Sequence, residues 1–159
     1  REAVGELPII IRISQWKSVD YGAKVARTPE ELERWTRVLA EAGVDAIHCS
    51  QRRILEAEFP DVDGPSGLNF AGWVKKLTGL PTISVGSVGL SSEFTGAFRG
   101  ESSAASKLDD VVERLARGEF DLVAVGRALL QDPEWVLKVK QNRLEELRDY
   151  NAAALATYF

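Results

Sequence analysis

Short β-branched runs alternate with amphipathic helical stretches along the whole chain, and this alternation limits the fold more than any other feature. "LPIIIRIS" (7–14) reads as a strand opened by a proline. A loop, "QWKSVDYGAKVAR", leads to Thr28-Pro29-Glu30-Glu31. That is an N-cap threonine, a proline at the first helical position and a glutamate at the capping-box position. The helix carries Leu32, Trp35, Val38 and Leu39 on one face and stops at Gly43. "VDAIHCS" (44–50) is a second strand, a polar stretch (51–66) follows, and a helix is expected over 69–78. "PTISVG" (81–86) is the third strand, and the Gly/Ser-rich residues 91–107 read as a loop insertion. An amphipathic helix (107–118), a fourth strand "FDLVAVG" (120–126), its helix "DPEWVLKVKQ" and a terminal helix over 143–156 complete the chain.

The order βαβαβαβα predicts an α/β fold with a parallel sheet covered by helices. Two architectures satisfy it: a doubly wound open sheet, or part of a (β/α)8 barrel. Four units in 159 residues are half of what a barrel of about 250 residues carries.

Two of the strands end in the same way. "PTISVGSVGL" (81–90) and "FDLVAVGRALL" (120–130) both run into a glycine at the strand's end, and in the second a helix follows at once. Glycine amides at such turns form anion sites. Two consecutive βα turns, Gly86-Ser87 and Gly126-Arg127, match the phosphate cradle that barrels build after their last two strands. In the first strand, Ile9, Ile11 and Ile13 share the face expected to meet helices, and Ile10, Arg12 and Ser14 share the other. A guanidinium buried in an apolar strand needs either a core carboxylate or an anionic ligand, and both readings stay open for Arg12. In the third strand Thr82, Ser84 and Gly86 form a small polar face, read as the inner one.

Other residues carry weaker signals. His48 is the only histidine, and a hydrogen-bonded structural role is the simpler reading. Cys49, the only cysteine, reads as a small buried residue and not a nucleophile, since it has no separate histidine partner. Gln51, Arg52 and Arg53 either line a pocket or are solvated. Trp35, Trp73 and Trp135 fall on helices and read as packing residues, Trp16 could face a ligand, and the acids of 109–119 read as a solvated helix face.

Composition narrows the partners. With 20 basic against 24 acidic residues there is no basic stripe for nucleic acid. No apolar run reaches bilayer length. One cysteine and one histidine give no disulfide framework or structural zinc site, and fit a reducing, cytoplasmic compartment. The start at Arg1 and the absence of methionine lead us to expect a piece of a longer protein.

Four motifs in this order, "PIIIRIS", "LAEAGVDAIHCSQ", "LPTISVGSVGL" and "FDLVAVGRALLQDPEW", resemble the NADH:flavin oxidoreductases of the old yellow enzyme family. The resemblance covers about residues 8–143. It implies the second half of an FMN-binding (β/α)8 TIM barrel, strands five to eight with their helices and a C-terminal helix, as a single half-barrel over 1–159. It implies that Arg12 contacts the flavin's pyrimidine edge. It implies that Gly86, Ser87, Gly126 and Arg127 hold the FMN phosphate. The parent chemistry it implies is hydride transfer from NAD(P)H through FMN to an activated alkene. The family's substrate-binding pair and proton-donating tyrosine lie before this segment, and neither Tyr21 nor His48 occupies their positions. The expected catalytic set of this chain is therefore empty, and the isolated chain is expected to be inactive. Its open edges should favour self-association or pairing with the other barrel half. A half-barrel binding a different phosphorylated ligand is the alternative.

Overall fold

The computed structural model describes residues 1–17, 19–93, 95–96, 99–106 and 108–158, apart from the side chains of Tyr21, Thr157 and Tyr158. The loop expected over 91–107 and the helix start expected at Lys107 therefore fall partly outside the described residues. Four parallel strands, β1 (Ile10–Ser14), β4 (Ala46–Ser50), β5 (Thr82–Val85) and β6 (Leu122–Val123), form one sheet in the order β1-β4-β5-β6. Each new strand is added on the same side of the last. A doubly wound sheet would reverse direction at a switch point, whereas a barrel keeps adding strands one way. The chain is α/β, with the architecture of a partial (β/α)8 barrel.

The helices form because their ends are chemically marked. α1 (Pro29–Glu41) starts with Thr28 Oγ1 accepting from Glu31 N at 3.3 Å, while Glu31 Oε2 accepts from Arg27 N at 2.7 Å. α3 (Phe70–Thr78) is capped by Asn69 Oδ1 accepting from Gly72 N and ends on Gly79 at φ 71°. α3 lies against α1, β4 and β5. The loop after β1 holds a hairpin, β2 (Trp16–Lys17) with β3 (Asp20–Lys24), and the polar stretch after β4 holds α2 (Pro60–Asp63).

The sheet register sorts side chains onto two faces. Ile11, Ile47 and Thr82 are aligned, as are Ile13, Cys49, Ser84 and Val123. This face is clad by helices: Ile47, Cys49, Thr82 and Ser84 are fully buried, and Ile11 and Ile13 join the core. The opposite face carries the row Arg12, His48, Ile83 and Leu122, then Ser14, Ser50 and Val85. It is open, with Ile10 58% and Leu122 60% exposed. Two expectations are corrected here. Thr82 and Ser84 belong to the helix-clad face, where Ser84 Oγ accepts from Asn69 Nδ2 at 3.1 Å, so the barrel-side face of β5 is aliphatic. Arg12 is exposed and not buried, because it lies on the open face of the sheet.

At the lower edge of the sheet, two aspartates repeat one device. Asp45 Oδ2 accepts from Ile9 N at 2.7 Å, and Asp121 Oδ2 accepts from Thr82 N at 2.9 Å, each tying the start of one strand to its neighbour. Burial pushes the Asp121 carboxyl up, but hydrogen bonds from Lys75 and the Thr82 amide outweigh it and hold it below the usual range.

Three helical expectations change. On α1, Val38 is 62% exposed and the buried line runs through Leu32 and Thr36, with Trp35 half-buried. Glu119 is not on a solvated face: it is buried and paired with Arg114 at 2.9 Å and Arg117 at 2.7 Å, just past α4 (Asp109–Ala116). The terminal helix is replaced by two 3-10 turns, Leu144–Glu146 and Ala152–Tyr158. Between them the Tyr150 backbone exchanges hydrogen bonds with Ser103, which takes the groups a helix would need. The fourth strand is two residues long and lies at the edge of the sheet, paired with β5. It leads through Gly126 into α5 (Arg127–Gln131), followed by α6 (Trp135–Lys140).

Candidate functional site

The site sits where parallel α/β sheets present their chemistry, beyond the C-terminal ends of the strands. Arg12, Gly86, Ser87, Gly126 and Arg127 all line one cavity of about 190 Å³, together with Ser50, Gln51, Arg52, Val85, Val88 and Leu90. Among the described residues, every ionisable one in this lining is an arginine.

Each element delivers its group for a physical reason. Arg12 lies on the open face of β1, and its Nη2 donates to Ser50 Oγ at 2.9 Å on the neighbouring strand. Ser87 follows the end of β5 in a left-handed backbone (φ 51°), uncommon for a residue with a side chain. Its hydroxyl donates to Arg52 O at 3.2 Å and accepts from Arg127 Nη2 at 3.3 Å. Arg127 opens α5 and also donates to Ser92 O at 2.6 Å and Glu93 O at 3.1 Å, while its guanidinium carbon lies 5.3 Å from the Tyr150 ring centre. Burial lowers the Arg127 pKa, and Tyr150 and Glu93 oppose that shift. Arg52 pairs with Glu56 at 3.1 Å and Glu93 at 3.2 Å.

The two turn glycines look alike in sequence but differ in space. A Cβ added to Gly86 would stand 2.7 Å from Gln51 O, so the chain itself requires the glycine there. A Cβ added to Gly126 would meet nothing within 4 Å. The absence of a side chain at Gly126 leaves open space beside the cavity.

The other singled-out residues separate clearly. His48 stands beside Arg12 in register on the open face, and its buried Nε2 has no hydrogen-bond partner among the described residues, against the expectation of a bonded structural histidine. Burial, then the Arg12 charge, lowers its pKa. Cys49 is buried and its thiol is pushed up by burial and by Glu58. Gln51 is spent on structure, accepting from Phe70 N at 3.1 Å and donating to Arg53 O at 2.6 Å. Trp73 and Trp135 are buried packing residues, and Trp16 lies under Lys24 Nζ at 4.7 Å. Ser50, Ser92 and Tyr150 were not singled out from the sequence: their roles depend on register and on long-range backbone pairing that local patterns do not carry. Among the described residues, no cluster of His, Cys, Asp and Glu could hold a metal ion, and no helix is long and apolar enough to cross a membrane.

Comparison with known proteins bears on the family and the fold. Residues 1–146 match the family model of the NADH:flavin oxidoreductase / NADH oxidase family. An NADH oxidase from Thermoanaerobacter brockii is 34% identical over 156 residues, covering 93% of this chain and 20% of that protein. A bilirubin reductase from Clostridium symbiosum is 27% identical over 156 residues, covering 93% of this chain and 37% of that protein. The chain thus spans between a fifth and two fifths of these relatives. An old yellow enzyme homologue from Zymomonas mobilis superposes with a TM-score of 0.52 at 9% identity, covering 84% of this chain and 31% of that structure, which is a likeness of fold. With four parallel strands wound in one direction and a family match over nearly the whole length, the chain belongs to the NADH:flavin oxidoreductase / NADH oxidase family.

Proposed function

We propose that this chain is the FMN-binding half of an NAD(P)H-dependent flavin oxidoreductase. The observation that carries the reading is the convergence of Arg12 and both glycine turns on one cavity whose ionisable lining, among the described residues, is entirely arginine. Such a lining fits a dianionic phosphate at one end and an electron-rich heterocycle at the other. The open space beside Gly126 suits close approach of a ligand to the backbone.

The roles follow from position. Arg127 and Ser87, already joined at 3.3 Å, would hold the phosphate with the backbone of Gly86 and Gly126. Arg12, steadied by Ser50, would hold the pyrimidine edge of the flavin and set a full positive charge beside it. FMN, when bound, supplies hydride transfer from NAD(P)H to an activated alkene of the ene-reductase type. This chain contributes cofactor binding and electrostatics. The groups that orient the alkene and return a proton come from the other barrel half, so the chain alone is inactive. Exposed Ile10 and Leu122, on the strands at the two sheet edges, support pairing with that half or with a second copy.

The test is a fluorescence titration of FMN and riboflavin against the purified chain, with Arg127→Ala and Arg12→Ala beside it. Saturable FMN binding is expected, weakened about tenfold or more by Arg127→Ala through the lost charge-assisted bonds. Riboflavin, which lacks the phosphate, should bind more weakly and ignore Arg127→Ala. Inorganic phosphate competing fully while riboflavin never binds would favour a different phosphorylated ligand. Equal FMN affinity in all three proteins would contradict the assignment.

A further inference from the structure

Residues 99–106 and the segment between the two 3-10 turns lie outside the roles assigned so far, yet both are linked to Arg127. A closed circuit of contacts joins them. Tyr150 and Ser103 exchange backbone hydrogen bonds, Tyr150 N to Ser103 O at 2.7 Å and Ser103 N to Tyr150 O at 2.9 Å. Ser103 Oγ accepts from Ser92 N at 2.9 Å. Ser92 O accepts from Arg127 Nη2 at 2.6 Å. The Arg127 guanidinium returns to the start, 5.3 Å from the centre of the Tyr150 ring. Asp149 Oδ1 fixes the same corner by accepting from Ala105 N at 2.7 Å.

We propose that Tyr150 and Ser103 form a clamp that positions Arg127 at the cavity, making Tyr150 a positioning residue for the phosphate end of the site. Two observations point this way. Tyr150 is 0% exposed, yet its hydroxyl finds no hydrogen-bond partner among the described residues, so the ring and not the hydroxyl is what the fold uses. The guanidinium of Arg127, which lines the cavity, lies over the ring, an arrangement in which a cation and an aromatic face attract and restrict each other. Tyr150 lies beyond residues 1–146, the part that matches the family model, whereas Ser92 and Ser103 lie within it. Holding Arg127 between the ring and two carbonyls removes rotamers that a flexible arginine would otherwise lose on binding an anion. The consequence for ligand affinity rests on the phosphate reading above, whereas the positioning itself does not.

The experiment combines two readouts on the intact chain with Tyr150→Leu, Tyr150→Phe and Ser103→Ala. The first is the NMR signal of the Arg127 Nε–H group, with that of Arg12 as the internal control. The second is the ratio of FMN to riboflavin affinity. In the parent chain and in Tyr150→Phe, the Arg127 signal should be displaced by the ring. In Tyr150→Leu it should return to the position of a free arginine, with Arg12 unmoved. The FMN preference should fall about tenfold in Tyr150→Leu and stay unchanged in Tyr150→Phe. Ser103→Ala, which breaks the circuit without touching the ring, should produce a smaller change in the same direction, and reads the proposal even if Tyr150→Leu does not fold. An Arg127 signal and an FMN preference unmoved by both Tyr150→Leu and Ser103→Ala would overturn the clamp while leaving the cofactor reading intact. An Arg127 signal that responds, in a chain that never prefers FMN to riboflavin, would support the clamp and sink the cofactor reading.

Discussion

The two faces of the four-stranded sheet are made from the same strands, and they have opposite characters. On the helix-clad face Ser84 is answered by Asn69, and Asn69 in turn by the Ile54 carbonyl, while Thr82 Oγ1 is buried without a hydrogen-bond partner among the described residues. On the open face Ile10 and Leu122 are exposed, Arg12 has the hydroxyl of Ser50 as its hydrogen-bond acceptor, and His48 keeps an unanswered buried nitrogen. The face covered by helices carries stability, and the open face leaves Arg12 and His48 within reach of a binding partner. In this chain the open face rises directly into the arginine-lined cavity.

The comparison can be broken most sharply in the core. Phe70→Ala removes a fully buried ring under the helix-clad face and should cost about 3–5 kcal/mol, read as a lower urea midpoint. Leu122→Ser, on the open face, should change stability by less than about 0.5 kcal/mol and reduce self-association in sedimentation. Equal costs at the two positions would mean that the open face is closed in solution. Next in size, Glu119→Ala strips the buried partner of Arg114 and the acceptor of the Asn69 amide, and should cost about 3 kcal/mol. Chemical denaturation of that variant checks it.

The two glycines sharpen the contrast within the site. Gly86→Ala forces a methyl against the Gln51 carbonyl and should lower stability by about 1–3 kcal/mol. Gly126→Ala meets no atom of the chain, so it should cost less stability while weakening FMN binding. The reverse pattern in paired melts and titrations would refute the distinction. The smallest effect is on pH dependence. His48 has a folded pKa below its ordinary 6.5, so the unfolded chain takes up a proton first as the pH falls. The His48 contribution to stability is fully present above pH 6.5 and declines as the pH drops below that value. His48→Gln should flatten this part of the profile in urea titrations, since no other histidine is present.

Much of this was legible in the sequence because it is local. Strand and helix alternation, the Thr28 cap and the glycine stops are written within a few residues of where they act. Period-two alternation placed Ile11 and Ile13 correctly, but parity alone does not say which side of β5 meets the helices, and there the assignment inverted. Arg12 was expected to be buried because it sits in an otherwise apolar strand, but it lies on the open face of the sheet and is exposed. The terminal helix pattern at 143–156 gave way to the pairing of Tyr150 with Ser103, a contact 47 residues apart in sequence that no local period encodes. For the same reason Gly86 and Gly126 read alike, although only the first is pressed by the 51–54 backbone.

The most direct test of the central claim is to follow backbone amide signals of the chain by NMR during titration with FMN and, separately, riboflavin. The account predicts that FMN shifts the amides of Gly86, Ser87, Gly126 and Arg127 together at one saturating concentration. Riboflavin should leave these four largely unmoved. Saturating FMN that shifts none of these four amides, or that shifts residues of the helix-clad face instead, would contradict it.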